Sequence, residues 1–143
     1  MKPRIFVDTN ILISGIFFEG NEAKILDLLE IELVTSEDVV DELRKVVRKK
    51  LKYLKERPLE IALLETERAL SDVIIIPRSK YNHKIKEVEK LIAHKKDVPI
   101  LAAALFIKPD YFLTGDLHFF TEKIKGIIKV MTANEFLAEI KRK

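Results

Sequence analysis

Four carboxylates, distant from one another in the chain, define the chemical question. They are Asp8 in Asp8-Thr9-Asn10, Glu42 in Asp41-Glu42-Leu43, Asp97 two residues before Pro99, and Asp116 in Thr114-Gly115-Asp116. Taken singly, each has an ordinary structural role. Asp8 ends an apolar run and opens a helical segment, where Asp, Thr and Asn satisfy free backbone N–H groups as caps. Asp97 precedes an Ala-rich helical run and suits the same task. Glu42 shares its helix with Asp38 and Asp41, the pattern of a solvated face. Asp38 also suits a capping box with Thr35, and Asp116 suits a turn. Taken together, the four acquire a different meaning if they converge. Two like charges about 4 Å apart at an effective dielectric near 20 repel by roughly 4 kcal/mol, which a fold tolerates only with a proton or a bound cation. With oxygen ligands dominant and no His or Cys cluster evident, a hard divalent ion, Mg²⁺ or Mn²⁺, is the best counterpart.

Convergence depends on the elements that carry these residues. Short apolar runs rich in β-branched residues recur at 5–7, 31–34, 73–76, 111–113 and 127–130 and read as five buried strands. Helical spacing falls between them at 11–18, 23–29, 39–54, 59–70, 85–93, 100–107 and 133–140. Strands alternating with helices predict a three-layer α/β/α sandwich around a five-stranded parallel sheet, a single domain spanning 1–143. Two helices broken near Pro58 separate the second and third strands, and 77–83 reads as a polar connection. In such sheets the site lies beyond the carboxyl ends of the strands, where strand order reverses. Asp8 and Asp116 follow strands and belong at that edge; Asp72 and Asp110 precede strands and belong at the other. If the first and fourth strands are neighbours, their ends lie roughly 5 Å apart, and Asp8 faces Asp116 across the crevice. Glu42 lies one turn into the helix that leaves the second strand.

The ordered set resembles the PIN-domain nucleases, in particular the VapC-type toxin ribonucleases. In that family an Asp ends the first strand, a Glu sits on a following helix, a third Asp precedes an Ala-rich helix, and a fourth acid follows a Thr at a later strand end. Asp8-Thr9-Asn10, Glu42, Asp97 ahead of Ala102-Ala103-Ala104, and Thr114-Gly115-Asp116 match in order and spacing over residues 5–120. The resemblance implies metal-dependent hydrolysis of RNA phosphodiesters, with Asp8, Glu42, Asp97 and Asp116 as the Mg²⁺ or Mn²⁺ ligands. It further implies that Thr114 bonds a carboxylate or water and that Asn10 orients Asp8. An ion so held lowers the pKa of a bound water and stabilises charge on the reacting phosphate, so no covalent nucleophile is needed. Family members are often homodimers, and many are toxins restrained by an antitoxin. The chain departs from the pattern at His118, where many members carry a further acid; His118 is read as facing solvent. The rival reading is a catalytically silent PIN-like module that binds RNA or a protein partner.

Composition narrows the classes. Charged residues make up 34% of the chain, with Lys and Glu abundant, a composition resembling that of heat-adapted proteins. The net charge of +3 is polarised: eight basic residues and one acid occupy 44–57. Within that run Arg44, Lys45, Arg48 and Lys49 are candidates to lead RNA phosphates toward Glu42, although a solvated helix face explains them equally well. Leu43, Val46, Val47, Leu51 and Leu54 form an apolar stripe that must cover the sheet or a second copy. The longest apolar run, 98–107, is too short to cross a bilayer, no signal-peptide core follows Lys2 and Arg4, and there is no cysteine. A cytoplasmic address is the expectation. No P-loop or dinucleotide glycine pattern exists. Pro77 after the third strand excludes a phosphoacceptor Asp there, and Asn10 stands where a dehalogenase-type phosphatase needs its second acid. His83 and His94 are expected at the surface, and the Phe17-Phe18 and Phe119-Phe120 pairs are assigned no role.

Overall fold

The computed structural model describes residues 2–50 and 58–142. Five parallel strands, β1 (Arg4–Val7), β2 (Glu32–Ser36), β3 (Ile74–Ile76), β4 (Tyr111–Leu113) and β5 (Val130–Met131), form one sheet in the order β3-β2-β1-β4-β5. The helices are α1 (Thr9–Phe17), α2 (Asn21–Leu26), α3 (Glu37–Lys49), α4 (Leu59–Leu70), α5 (Arg78–Tyr81), α6 (Ile85–Val88), α7 (Val98–Ile107), α8 (Glu122–Lys125) and α9 (Ala133–Lys141). The three-layer α/β/α sandwich expected from the alternation is the architecture observed. Strand order runs outward from β1 through β2 on one side and from β4 on the other, so it reverses between β1 and β4.

The central strands are apolar on both faces because helices cover both. Ile5, Phe6, Val7, Phe112 and Leu113 are fully buried, and the Phe6 and Phe112 rings meet edge to face with centroids 5.1 Å apart. Burying each ring contributes about 2–3 kcal/mol. Helix α7 is apolar all round, and Leu101, Ala102, Ala103 and Ala104 are fully buried; the small Ala side chains let the helix lie close to its neighbours. It ends at Lys108 in the left-handed conformation (φ 53°), which turns the chain back into β4.

Several boundaries differ from the sequence expectation, each for a physical reason. The strand expected at 73–76 is an edge strand in which Ile74 and Ile75 are exposed, because only β2 flanks it. The strand expected at 127–130 begins at Val130: Ile127 and Ile128 donate to Ile124 O and extend the turn of α8. The helix expected at 85–93 stops at Val88, and the expected polar connection 77–83 is largely helical, anchored by the buried Tyr81, whose hydroxyl donates to Asp38. Helix α7 starts two residues early, since Pro in the first turn needs no N–H partner. Asp38 makes no capping box with Thr35: Ser36 caps α3 by accepting from Val39 N–H, and the Thr35 hydroxyl donates to Val7 O. The segment 51–54 of the expected 39–54 helix, with Leu51 and Leu54 of the apolar stripe, lies outside the described residues. Of the rest of that stripe, Leu43 and Val47 are in the core.

Candidate metal centre

The parallel register explains why Asp8 meets the segment after β4. Val7 pairs with Leu113, so one residue further on Asp8 lies beside Thr114, and Asp8 N–H donates to Leu113 O at 3.1 Å. The Thr114 hydroxyl donates to Asp8 Oδ2 at 2.7 Å and accepts from Asp116 N–H at 3.0 Å. Asp8 Oδ1 accepts from Thr9 N–H at 2.7 Å. Asp8 is therefore both a helix cap and one member of a cross-strand network. Asn10 does not orient Asp8; its Oδ1 accepts from Gly115 N–H at 3.0 Å and braces the loop after β4.

Asp97 reaches the same edge because α7 runs back toward the amino edge to feed β4, which puts its first residue at the carboxyl edge. The Asp97 side chain makes no cap bond to α7, so the structural alternative for this residue fails. Its Oδ2 lies 2.9 Å from His118 Nδ1, and the same nitrogen lies 3.3 Å from Asp116 Oδ1. His118 N–H also donates to Asp116 Oδ1 at 3.0 Å, so Asp116 forms the turn expected of it as well as facing the cleft. His118 is 44% exposed, yet the expectation that it simply faces solvent is corrected: its ring nitrogen bridges two acids. The His94 ring stacks on it, with centroids 3.6 Å apart and planes 10° apart.

Asp8, Glu42, Asp97 and Asp116 line one cleft of about 400 Å³ together with Thr9, Asn10, Ser14, Ile13, Phe18, Val46, Lys50 and Ile100. Burial pushes the Asp8 carboxyl up from 3.8 to about 6; the bonds from Thr114 and Thr9 oppose the rise, and the charges of Glu42 and Asp116 add to it. Burial also raises Glu42, assisted by Asp97 and Asp116 and opposed by the neighbouring Thr9 hydroxyl and Lys96. The buried Thr9 hydroxyl lies beside the Glu42 carboxylate without a hydrogen bond of full geometry among the described residues. Asp97, Asp116 and His118 each offer a ligand atom within 4.8 Å of the others, close to the roughly 4.2 Å that separates opposite ligands of one small divalent ion. Like charges and this spacing both fit a cation of that kind.

The basic residues divide between two faces of α3. Arg44 forks onto Glu67 at 2.8 and 3.0 Å, and Arg48 lies near the same carboxylate, away from the cleft. Lys45 and Lys49 do not line the cleft. Lys50, one helical step beyond Glu42 and Val46, does. Residues 51–57 of the basic run lie outside the described residues. Sequence reading missed Phe18 and Lys50 as members of the cleft and His118 as a partner of Asp97 and Asp116. The i, i+4, i+8 spacing of Glu42, Val46 and Lys50 was the available signal for Lys50; for His118 the signal was its place two residues after Asp116, where many PIN-domain members carry a further acid, although its pairing with Asp97 on another element was not readable.

No curated protein matches the chain by sequence. Among solved structures, three toxin–antitoxin complexes contain similar folds. VapBC2 from Rickettsia felis, bound to a promoter DNA fragment, aligns at TM-score 0.65 and 19% identity, covering 90% of this chain and 98% of that one. VapBC-1 from nontypeable Haemophilus influenzae aligns at 0.62 and 18%, covering 92% and 98%. A toxin–antitoxin complex from Klebsiella pneumoniae aligns at 0.67 and 21%, covering 90% and 97%. The pattern of the PIN domain family matches residues 6–141, from the first strand to the last helix. The chain belongs to the PIN domain family.

Proposed function

We propose that the protein is a metal-dependent ribonuclease, the toxin of a toxin–antitoxin pair, in which Asp8, Glu42, Asp97 and Asp116 hold Mg²⁺ or Mn²⁺. The observation that carries this reading is that four acids from separate parts of the chain line one cleft where strand order reverses. When bound, the ion supplies positive charge against the phosphodiester and activates water for its hydrolysis. The chain's own residues do the rest. Thr114 and Thr9 N–H lock both oxygens of Asp8, and Asn10 holds the Gly115 backbone so that Asp116 keeps its place. Ile13, Val46, Ile100 and Phe18 form an apolar wall that limits water. Lys50 brings a positive charge to the same cleft for a phosphate.

The PIN domain match and the likeness to three toxin–antitoxin complexes support an antitoxin partner. Exposed Ile61 and Leu64 on α4 and Ile74 and Ile75 on β3 supply apolar surface suited to a second copy or an antitoxin. No described helix is long and apolar enough to cross a membrane. The test is single-turnover cleavage of RNA by the wild type, Asp8→Asn and Asp97→Asn with Mg²⁺, Mn²⁺ or EDTA. Metal-dependent cleavage lost in both variants is expected. Cleavage that persists in EDTA and in both variants refutes the assignment, and metal-independent RNA binding without cleavage favours a silent module.

A further inference from the structure

We propose that His118 is itself a metal ligand, placing Nδ1 beside Asp97 and Asp116 and biasing the centre toward Mn²⁺ over Mg²⁺. This rests on the metal-centre reading above and adds to it the identity of one ligand and the ion preference that follows.

Three observations carry it. Nδ1 lies at the meeting point of two carboxylates from different elements, 2.9 Å from Asp97 Oδ2 and 3.3 Å from Asp116 Oδ1. An ionised carboxylate only accepts hydrogen bonds, and one N–H cannot aim well at both, whereas a cation between the three atoms satisfies all of them. The ring is also prepositioned. The backbone bond from His118 N–H to Asp116 and the single 3₁₀ turn Leu117–Phe119, anchored by the buried Phe119, point the imidazole back toward α7. His94 stacks nearly parallel on its outer face. That stacking restricts rotation of the His118 ring and keeps Nδ1 turned toward the two carboxylates. Finally, the donor type matters: Mn²⁺ is an oxygen-favouring ion at the weak end of the first-row series, yet it exchanges a water for a nitrogen more readily than Mg²⁺, which demands oxygen and gives up its waters reluctantly. A centre with one nitrogen among carboxylates therefore gains more with Mn²⁺ than with Mg²⁺.

The experiment uses the full chain loaded with Mn²⁺ and needs no substrate. Pulsed EPR reads ¹⁴N coupling to the ion, and direct titration reads Mn²⁺ and Mg²⁺ affinities, for the wild type, His118→Ala, His118→Asp, His94→Ala and Asp97→Asn. Far-UV CD melts confirm that each variant is folded. The expected result is a ¹⁴N coupling in the wild type and in His94→Ala that is absent from both His118 variants. His118→Ala removes a ligand outright and should weaken Mn²⁺ by at least the roughly tenfold that loss of an outer partner alone costs; His118→Asp should bind again through oxygen, with the Mn²⁺ over Mg²⁺ preference reduced. Mn²⁺ binding that needs Asp97 but shows no ¹⁴N coupling overturns the nitrogen ligand and leaves the carboxylate centre standing. Coupling that survives in His118→Ala assigns the nitrogen elsewhere and also overturns it. Failure of the wild type to bind Mn²⁺ overturns both this inference and the reading beneath it.

Discussion

At the amino edge of the sheet, Asp110 accepts the backbone N–H of Arg4 at 2.7 Å, and the Arg4 guanidinium reaches Glu32 at 2.7 Å. At the carboxyl edge, four acids line one cleft, Asp8 is buried, and its nearest bonds come from a hydroxyl and a backbone N–H. Both edges hold acids beside strand ends, yet among the described residues only the amino edge pairs an acid directly with a guanidinium, while Lys50 and Lys96 lie near the four acids of the carboxyl edge without an ion pair to any of them. The difference shows that unbalanced charge is avoidable in this fold, so keeping it beside β1 and β4 implies that something else balances it.

The largest effect that could break this contrast is on activity. Asp8→Asn and Asp97→Asn should each lower metal-dependent RNA cleavage by about a hundred- to a thousandfold, whereas Asp110→Asn should leave the single-turnover rate unchanged. Equal losses at both edges would dissolve the distinction.

Stability should respond with opposite signs. The folded chain keeps a proton on Asp8 between 3.8 and about 6 that the unfolded chain has lost. In chelator, stability is therefore undiminished below the lower value and falls as pH rises through the upper one, by up to about 3 kcal/mol. At pH 7 Asp8→Asn should raise the urea midpoint, because the amide oxygen still accepts from Thr9 and its N–H₂ can donate to Thr114. Near pH 3 the gain should vanish. A lower midpoint at pH 7 would make Asp8 chiefly a cap. Asp110→Ala should instead destabilise by about 1 kcal/mol through the lost bond to Arg4 N–H.

Next in size, Mn²⁺ at a hundred times its dissociation constant should stabilise the wild type by about 2.7 kcal/mol, read as a thermal shift that shrinks in Asp8→Asn and persists in Asp110→Asn. The smallest effect sharpens the comparison between the two faces of α3. Lys50→Ala should reduce the salt dependence of single-stranded RNA binding by about 0.7 in log–log slope. Arg44→Ala should leave it nearly unchanged, because Arg44 is already committed to Glu67.

The strand-end acids were legible because hydrophobic runs and their chemical punctuation are local: Val7 then Asp8, Leu113 then Thr114. Helix α4 was legible to the residue, since its spacing and Pro58 are also local. The role of Asn10 was not, because Gly115 reaches it only through the pairing of β1 with β4. The fifth strand shifted because apolar Ile127 and Ile128 fit a strand as well as the turn that extends α8.

The sequence by itself determined which segments are strands, which acids end them, and that Asp72 and Asp110 stand at the wrong edge, since these follow from side-chain period and residue order. Only the tertiary structure decided that β1 adjoins β4, that Arg44 turns away while Lys50 turns in, and that His118 meets Asp97. Those contacts join residues separated in sequence, and their free energy arises from packing of whole elements, which no local pattern encodes.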